Sequence, residues 1–185
     1  MKVMNEPQGI TALAWKPYAQ AAITPIREAG ATNRIYLGGV GWSGAHNFVS
    51  TGWADVVTSI TDSGNNMALE VHQYADSNNS GSSPTASSGD ILVNRVKEVT
   101  MWARIYGYKL FLGEFNTGDR ASIVVDDTEY TALVNLFNYL KANADVWEGA
   151  TMWAAGPWWG DYIFNVEPNN SVDDIRYTRM LDIKA

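Results

Sequence analysis

Apolar and polar positions follow two alternating patterns along this chain. Short, mostly apolar runs predict strands, and longer segments in which apolar residues recur every three or four positions predict helices. The predicted strands are residues 3–4, 34–37, 67–72, 110–112 and 147–153. The predicted helices are residues 10–29, 53–61, 90–106, 129–141 and 173–183. Each strand is followed by a helix, so the pattern predicts about five βα units.

Repeated βα units are typical of a parallel sheet with helices outside it. A complete eight-unit barrel takes about 250 residues, whereas this chain has 185. We therefore predict an α/β fold that is a partial (β/α)8 TIM barrel, formed by residues 1–185 as a single truncated domain.

Polar side chains that could take part in a reaction lie where predicted strands end. Asn5 and Glu6 follow the first run, His72 ends the third, and Glu114 follows the fourth. Active sites of βα folds form at this edge of the sheet. Taken singly, a strand-end glutamate is more often a capping or surface acid, and His72 alone would be a core histidine. Two carboxyl groups at one edge, however, are what a glycosidase needs to cleave a sugar bond.

Aromatic content bears on this hypothesis, because the chain has 8 Trp, 9 Tyr and 5 Phe. Core packing is the default role of such residues, but several lie in polar, glycine-rich loops. There, flat rings are suited to stacking on the apolar faces of sugars. A net charge of −7 argues against nucleic-acid binding. The lack of cysteine excludes thiolate chemistry and Cys-based zinc sites, and two histidines far apart in sequence disfavour a His-rich metal site. No apolar run is long enough for a membrane span, and no signal peptide is evident.

Four segments of the chain match a known pattern: MNEP at 4–7, NMALEVHQYADSNNSG at 66–81, LGEF at 112–115 and WAAGPWWGDYIF at 153–164. With these segments the chain resembles glycoside hydrolase family 5, the retaining cellulases with an eight-unit barrel. It is most similar to the fungal-type and related bacterial endo-β-1,4-glucanases of that family. The similarity runs from residue 2 to about residue 168.

The resemblance implies a role for each matching residue. Glu6 would be the general acid/base and Glu114 the nucleophile, with no metal and no cofactor. The residues expected to bind substrate or support the site are Asn5, His72, Tyr74, Trp153, Trp42, Trp158 and Trp159. Of the last two, we expect one to line the cleft and the other to pack. The resemblance assigns no catalytic role to Glu70, although it shares a strand face with His72.

Members of the family carry three βα units before the Asn-Glu strand, so the resemblance places this chain at the fourth to eighth units. An arginine near the nucleophile and a histidine near the reacting sugar come from the preceding units and have no counterpart here. Without them the sheet is expected to have two open edges. Exposed edges favour pairing with another chain, and we predict a symmetric homodimer. Pairing with a separate front-half chain and independent folding with little function are the alternatives.

Three functions follow as hypotheses. The first is a retaining endo-β-1,4-glucanase acting on β-glucan or cello-oligosaccharide through two glutamates, with possible glycosyl transfer. The second is a catalytically inactive glucan-binding module, and the third is a structural half-barrel that self-associates. The resemblance implies secretion.

Overall fold

The computed structural model describes residues 1–168 and 172–184, with side chains described as far as residue 181. The helices are α1 (Ala12–Glu28), α2 (Trp53–Val57), α3 (Ile91–Tyr106), α4 (Thr128–Ala142) and α5 (Ile175–Lys184). The strands are β1 (Ile35–Gly38), β2 (Met67–Tyr74), β3 (Leu110–Asn116) and β4 (Trp147–Ala150). A 3₁₀ turn covers Pro157–Trp159. No helix of the described ranges is long and apolar enough to cross a membrane.

The strands form one sheet in the order β1-β2-β3-β4, so neighbours in the chain are neighbours in the sheet. β1 pairs in parallel with β2, from Ile35 opposite Met67 to Gly38 opposite Glu70. A helix lies between each two successive strands of the chain, as connections between parallel strands require. The predicted fold class, a parallel sheet with helices from part of a barrel, is confirmed.

The strand predicted before Glu6 is reduced to a single parallel bridge between Lys2 and Tyr36. Val3 N–H donates to the Tyr36 carbonyl at 3.2 Å, and Tyr36 N–H donates to the Met1 carbonyl at 2.8 Å. The backbone bends at Val3 and Asn5, and Glu6 then adopts the left-handed region with a φ of 46°. The other differences are of length: α2 ends at Val57, and β4 ends at Ala150, three residues before Trp153.

The residues group into two compact units. The first comprises Met1–His72, Glu98–Leu112 and Asp145–Gly149, and the second comprises Gln73–Lys97, Gly113–Ala144 and Ala150–Ala185. The described residues of each unit have their own buried apolar core. That of the first includes Ile23, Ile35, Leu37, Trp53, Leu69 and Leu110. That of the second includes Leu92, Phe115, Leu133, Leu136 and Phe164.

In the first unit, the end of β1 is shaped by two tryptophans. A Cβ added to Gly39 would lie 2.3 Å from Cδ1 of the fully buried Trp53, so only glycine fits there. Trp15 Nε1 on α1 donates to the Gly38 carbonyl at 3.1 Å. Gly38, the last residue of β1, and Gly39 thus let α1 and α2 pack closely at this strand end.

A buried ion pair in the first unit makes stability depend on pH. Arg27 Nε donates to Asp62 Oδ1 at 2.6 Å, and Arg27 Nη2 donates to Oδ2 at 2.9 Å. The Arg27 hydrogen bonds, aided by backbone N–H groups of Asn66 and Gly64, lower the pKa of Asp62 from 3.8 to about 2, against the effect of burial. This carboxylate therefore stabilises the fold above pH 4, and that contribution is lost as pH falls towards 2.

Asp62→Asn should lower the melting temperature at pH 7 by about 5 to 10 °C, because it breaks a buried pair. The loss should shrink between pH 4 and pH 2, where the wild type also loses its charge. Thermal unfolding followed by circular dichroism across this range checks the result. Asp55→Asn on α2, which replaces an exposed acid, is the control. A pH-independent difference between Asp62→Asn and wild type would contradict the argument.

Candidate active site

Glu6 lies in the first unit, directly after the bridge formed by Lys2. Its left-handed backbone, with φ 46°, is a conformation that residues with a Cβ seldom adopt. Such strain costs about 1–3 kcal/mol and is often found at functional sites. The side chain is 22% exposed, and its Oε1 lies 2.6 Å from Nδ1 of His72. The turn therefore presents a partly exposed acid against a defined polar partner.

His72 is buried near the end of β2 between two carboxyl groups. Its Nδ1 faces Glu6, and its Nε2 lies 2.6 Å from Oε1 of Glu70. Lys2 Nζ donates to the same Glu70 oxygen at 2.8 Å and to Asn5 Oδ1 at 2.6 Å. The first unit thus contains a continuous polar chain in which Lys2, Glu70, His72 and Glu6 follow one another.

Backbone hydrogen bonds join the loop that carries Trp42 to Pro7 and to His72. Trp42 N–H donates to the Pro7 carbonyl at 3.3 Å, next to the acid-bearing turn. His72 N–H donates to the Ser43 carbonyl at 2.8 Å, and Ala45 N–H donates to the His72 carbonyl at 2.9 Å. The Trp42 side chain is 58% exposed. This loop, bonded to the residue after Glu6, therefore presents a large apolar ring to solvent, where it is available for contact with a ligand.

In the second unit, Glu114 is bound by Tyr74. Tyr74 Oη donates to Glu114 Oε2 at 2.8 Å, and Glu114 is 8% exposed. The Tyr74 ring stacks on Phe164 with centroids 5.8 Å apart. A Cβ added to Gly81 would lie 2.8 to 2.9 Å from atoms of that ring, so the Gly81 backbone packs directly on it. Arg95 Nη1 donates to the Tyr74 carbonyl at 2.6 Å. The hydroxyl that meets Glu114 is thus held by contacts on its ring and its backbone.

Aromatic side chains of the second unit continue from this pair. Trp153 N–H donates to the Phe115 carbonyl at 3.1 Å, and its ring meets Trp159 edge-on at 4.9 Å. Trp159 contacts Tyr162 at 4.9 Å. Burial raises the pKa of Tyr162, a hydrogen bond with Trp153 opposes the rise, and the charge of Glu114 adds to it. The carboxylate of Glu114 therefore lies in an aromatic, largely dehydrated environment.

The two adjacent tryptophans have different environments. Trp158 is 93% exposed, whereas Trp159 packs against its neighbours and is only partly exposed. Trp159 is therefore the tryptophan of this pair that packs against other side chains. Trp153 itself lies in the loop after β4 rather than at the strand end that its sequence position suggested.

The predicted site residues are divided between the units. The first contains Asn5, Glu6, Trp42 and His72, and the second contains Tyr74, Glu114, Trp153, Trp158 and Trp159. In the first unit Glu6 contacts His72, and in the second unit Glu114 accepts from Tyr74. Both partners were predicted as site residues.

Some residues of these networks were not found from the sequence. They are Lys2, Glu70, Gly81 and Arg95. Glu70 had a usable signal, since alternation along β2 places it on the side of His72. Lys2 is 68 positions from Glu70, and nothing in a single sequence indicates that contact.

A cavity of about 630 Å³ also lies in the second unit. Its charged lining residues are Asp119, Arg120, Asp161 and Glu167. Arg120 Nη2 donates to the Glu167 carbonyl at 2.5 Å, so the backbone of Glu167 helps to form the wall. The cavity lining includes none of the predicted site residues.

Comparison with known proteins adds a direct identification. The family described as Cellulase (glycosyl hydrolase family 5) matches residues 1–156. The endo-beta-1,4-glucanase B of Aspergillus niger is 42% identical over 164 residues, which cover 89% of this chain and 46% of that protein. The chain therefore spans about half the length of the curated relatives it matches.

Solved structures agree with this assignment. An endo-beta-1,4-glucanase from Xanthomonas axonopodis pv. citri superposes with a TM-score of 0.89 at 40% identity, covering 100% of this chain and 60% of that one. XacCel5A in complex with cellopentaose superposes with a TM-score of 0.88 at 38% identity, covering 98% and 57%. Since the family match covers most of the chain and the fold agrees, this chain belongs to glycosyl hydrolase family 5, the cellulases.

Proposed function

We propose that this chain acts as a retaining endo-β-1,4-glucanase in which Glu6 is the acid/base and Glu114 the nucleophile. The observation that carries the proposal is that each glutamate has its own polar partner: His72 contacts Glu6, and Tyr74 donates to Glu114. A double displacement needs one carboxyl group that holds a proton and one that stays ionised. Two separate environments suit these two tasks.

In the first step, Glu114 attacks the anomeric carbon while Glu6 gives its proton to the leaving oxygen. The C–O bond breaks, its electron pair stays on the leaving oxygen, and a covalent glycosyl-enzyme forms. The Tyr74 hydroxyl supports this step, because it donates to Glu114 Oε2 at 2.8 Å and orients the attacking carboxylate.

In the second step, Glu6 acts as a base and takes a proton from water, which attacks the same carbon and releases Glu114. The configuration at the anomeric carbon is thereby retained. A sugar hydroxyl in place of water would give glycosyl transfer by the same route.

We propose β-1,4-glucan and its oligosaccharides as the substrate. The support is the similarity to a protein whose structure contains cellopentaose, together with the exposed rings of Trp42 and Trp158. Aromatic faces of this kind bind the apolar faces of glucose units. Because a polymeric glucan does not cross membranes, extracellular action suits this substrate.

Incubation with cellopentaose, followed by proton NMR of the anomeric signals, tests the proposal. The expected result is early appearance of the β-anomer, which then mutarotates. Early α-anomer would contradict a retaining mechanism. Binding of cellopentaose by calorimetry without turnover, even of an activated aryl cellobioside, would favour the alternative of a glucan-binding module that lacks catalysis.

Gly81→Ala should reduce kcat about 10-fold or more, because the new Cβ would collide with the Tyr74 ring and displace the hydroxyl from Glu114. Gly107→Ala is a matched control: Gly107 also has a positive φ, 75° against 69°, but nothing lies within 4 Å of its added Cβ. Both changes carry similar backbone strain. Equal losses of kcat in the two variants would show that strain, and not the Tyr74 contact, is responsible.

We also propose that the chain associates with a second copy. Within the part of the chain that the structure describes, β4 has a strand neighbour on one side only. Light scattering with size-exclusion chromatography is expected to give twice the mass of one chain. A stable monomer at micromolar concentration would rule the association out.

A further inference from the structure

The polar chain of the first unit includes Lys2 and Glu70, which have no role in the reaction steps proposed above. Glu70 is 2% exposed, and a buried carboxylate is costly unless it is paired. Its Oε1 meets both Lys2 Nζ at 2.8 Å and His72 Nε2 at 2.6 Å. Its Oε2 makes no hydrogen bond with any residue that the structure describes. Both of its polar contacts are therefore concentrated on the oxygen that faces His72.

Gly38 leaves room for the Glu70 carboxylate. A Cβ added to Gly38 would lie 3.3 Å from Glu70 Oε2 and 2.6 Å from Ser43 Oγ. A side chain at position 38 would therefore crowd the carboxylate in the place where it contacts His72.

Short contacts of both His72 ring nitrogens with carboxyl oxygens limit where protons can be. Nδ1 lies 2.6 Å from Glu6 Oε1 and Nε2 lies 2.6 Å from Glu70 Oε1, so each contact requires one proton. A neutral imidazole carries a single N–H. If Glu70 is ionised, Nε2 must hold that hydrogen and donate it. The second proton is then shared between Nδ1 and Glu6.

Lys2 holds the carboxylate of Glu70 next to the His72 ring. Its ammonium donates to Glu70 Oε1 at 2.8 Å, and it also lies 3.1 Å from His72 Nε2. Lys2 and the Nε2 edge of His72 therefore contact the same oxygen of Glu70.

We infer that Glu70, held by Lys2, fixes the Nε2–H tautomer of His72, so that Nδ1 accepts from the protonated form of Glu6. Glu70 and Lys2 are then positioning residues for proton transfer. This inference rests on the proposed role of Glu6. During the reaction, the proton passes from Glu6 to the leaving oxygen and later returns from water, while the Nε2–H bond to Glu70 is unchanged.

Nitrogen-15 NMR of the imidazole rings tests the tautomer directly, and the chain has only two histidines to assign. The wild type should show a protonated Nε2 on His72. Glu70→Leu, which removes the acceptor, should change the tautomer, whereas Glu70→Gln, which keeps an acceptor oxygen, should largely retain it. Glu148→Leu removes a β4 carboxylate paired with Arg34 and is the control. His72 signals in Glu70→Leu that match the wild type would overturn the inference.

A leaving-group comparison supplies the kinetic test. With a poor aryl leaving group, Glu70→Leu should lower kcat/KM about 100-fold, since departure then depends on general acid catalysis. With dinitrophenolate, which leaves without protonation, the loss should be small. Equal loss on both substrates would indicate general damage and would contradict the inference. If Glu70→Leu does not fold, Lys2→Met gives the same comparison.

The two readouts separate this inference from the proposed function. A tautomer that changes in Glu70→Leu, in a protein without turnover, would support the positioning by Glu70 and refute the glucanase proposal. Turnover with an unchanged tautomer would do the reverse.

Discussion

Replacing Glu114 by glutamine is expected to lower kcat on the order of 10⁴-fold or more, with little change in KM. Glutamine has the shape of glutamate and its oxygen can still accept from Tyr74 Oη, so the 2.8 Å hydrogen bond is compatible with the variant. An amide, however, cannot form the covalent glycosyl intermediate that a carboxylate forms. Release of reducing sugar from carboxymethyl cellulose measures the effect.

A control variant and a trapping experiment make this prediction specific. Glu167→Gln changes another carboxylate of the second unit and should leave kcat close to wild type, because the hydrogen bonds of Glu167 with Arg120 and Asn165 are made by its backbone. A fluorinated glycoside that traps the intermediate should add its mass to the peptide containing Glu114. Activity that is insensitive to Glu114→Gln would mean that another protein or another residue is responsible.

Arg176→Met is expected to cause the largest loss of stability, about 3–5 kcal/mol, which corresponds to roughly 10 °C in melting temperature. Arg176 is fully buried on α5. It donates to Asp174 Oδ1 and Oδ2 at 2.8 and 2.7 Å and to the carbonyls of Gly118 and Asn165 at 2.8 and 3.1 Å. Methionine would fill the space but leave two carbonyls without the Arg176 donor, and it would leave the Asp174 carboxylate with only the backbone N–H of residue 176.

Arg104→Met is the matched comparison, because Arg104 also binds an aspartate, Asp145, through two nitrogen atoms. That pair is 45% and 57% exposed, so its loss should change the melting temperature little. Scanning calorimetry of both variants measures the difference. Similar melting temperatures for the two would show that burial of Arg176 adds no stability.

The order of strands and helices was accessible from the sequence because short-range patterns determine it. The apolar run at 67–72 predicted β2, and seven of the eight residues of that strand are buried. Weak periodicity overextended α2, and apolar residues beyond Ala150 overextended β4. The strand predicted at residues 3–4 is reduced to the bridge at Lys2 because the backbone already bends at Val3, which propensity alone does not reveal.

The candidate site was accessible to a similar degree. Glu6, His72 and Glu114 follow from their strand-end positions and from family motifs. Glu70 and Gly81 lie within those same motifs, yet their contacts with His72 and Tyr74 became evident only from the folded chain. Contacts of a few ångströms between residues several positions apart depend on the geometry of the folded backbone. That geometry cannot be read from sequence patterns.

By itself, the sequence determined the family, the alternation of strands and helices, and the chemical type of each acid and ring. These depend on local propensity and on motifs that are contiguous in the chain. Only the tertiary structure decided that Lys2 meets Glu70, that Gly81 packs on Tyr74, and that Arg176 is buried among a carboxylate and backbone carbonyls. Such contacts join residues up to 68 positions apart, and their energies depend on burial, which exists only once the chain has folded.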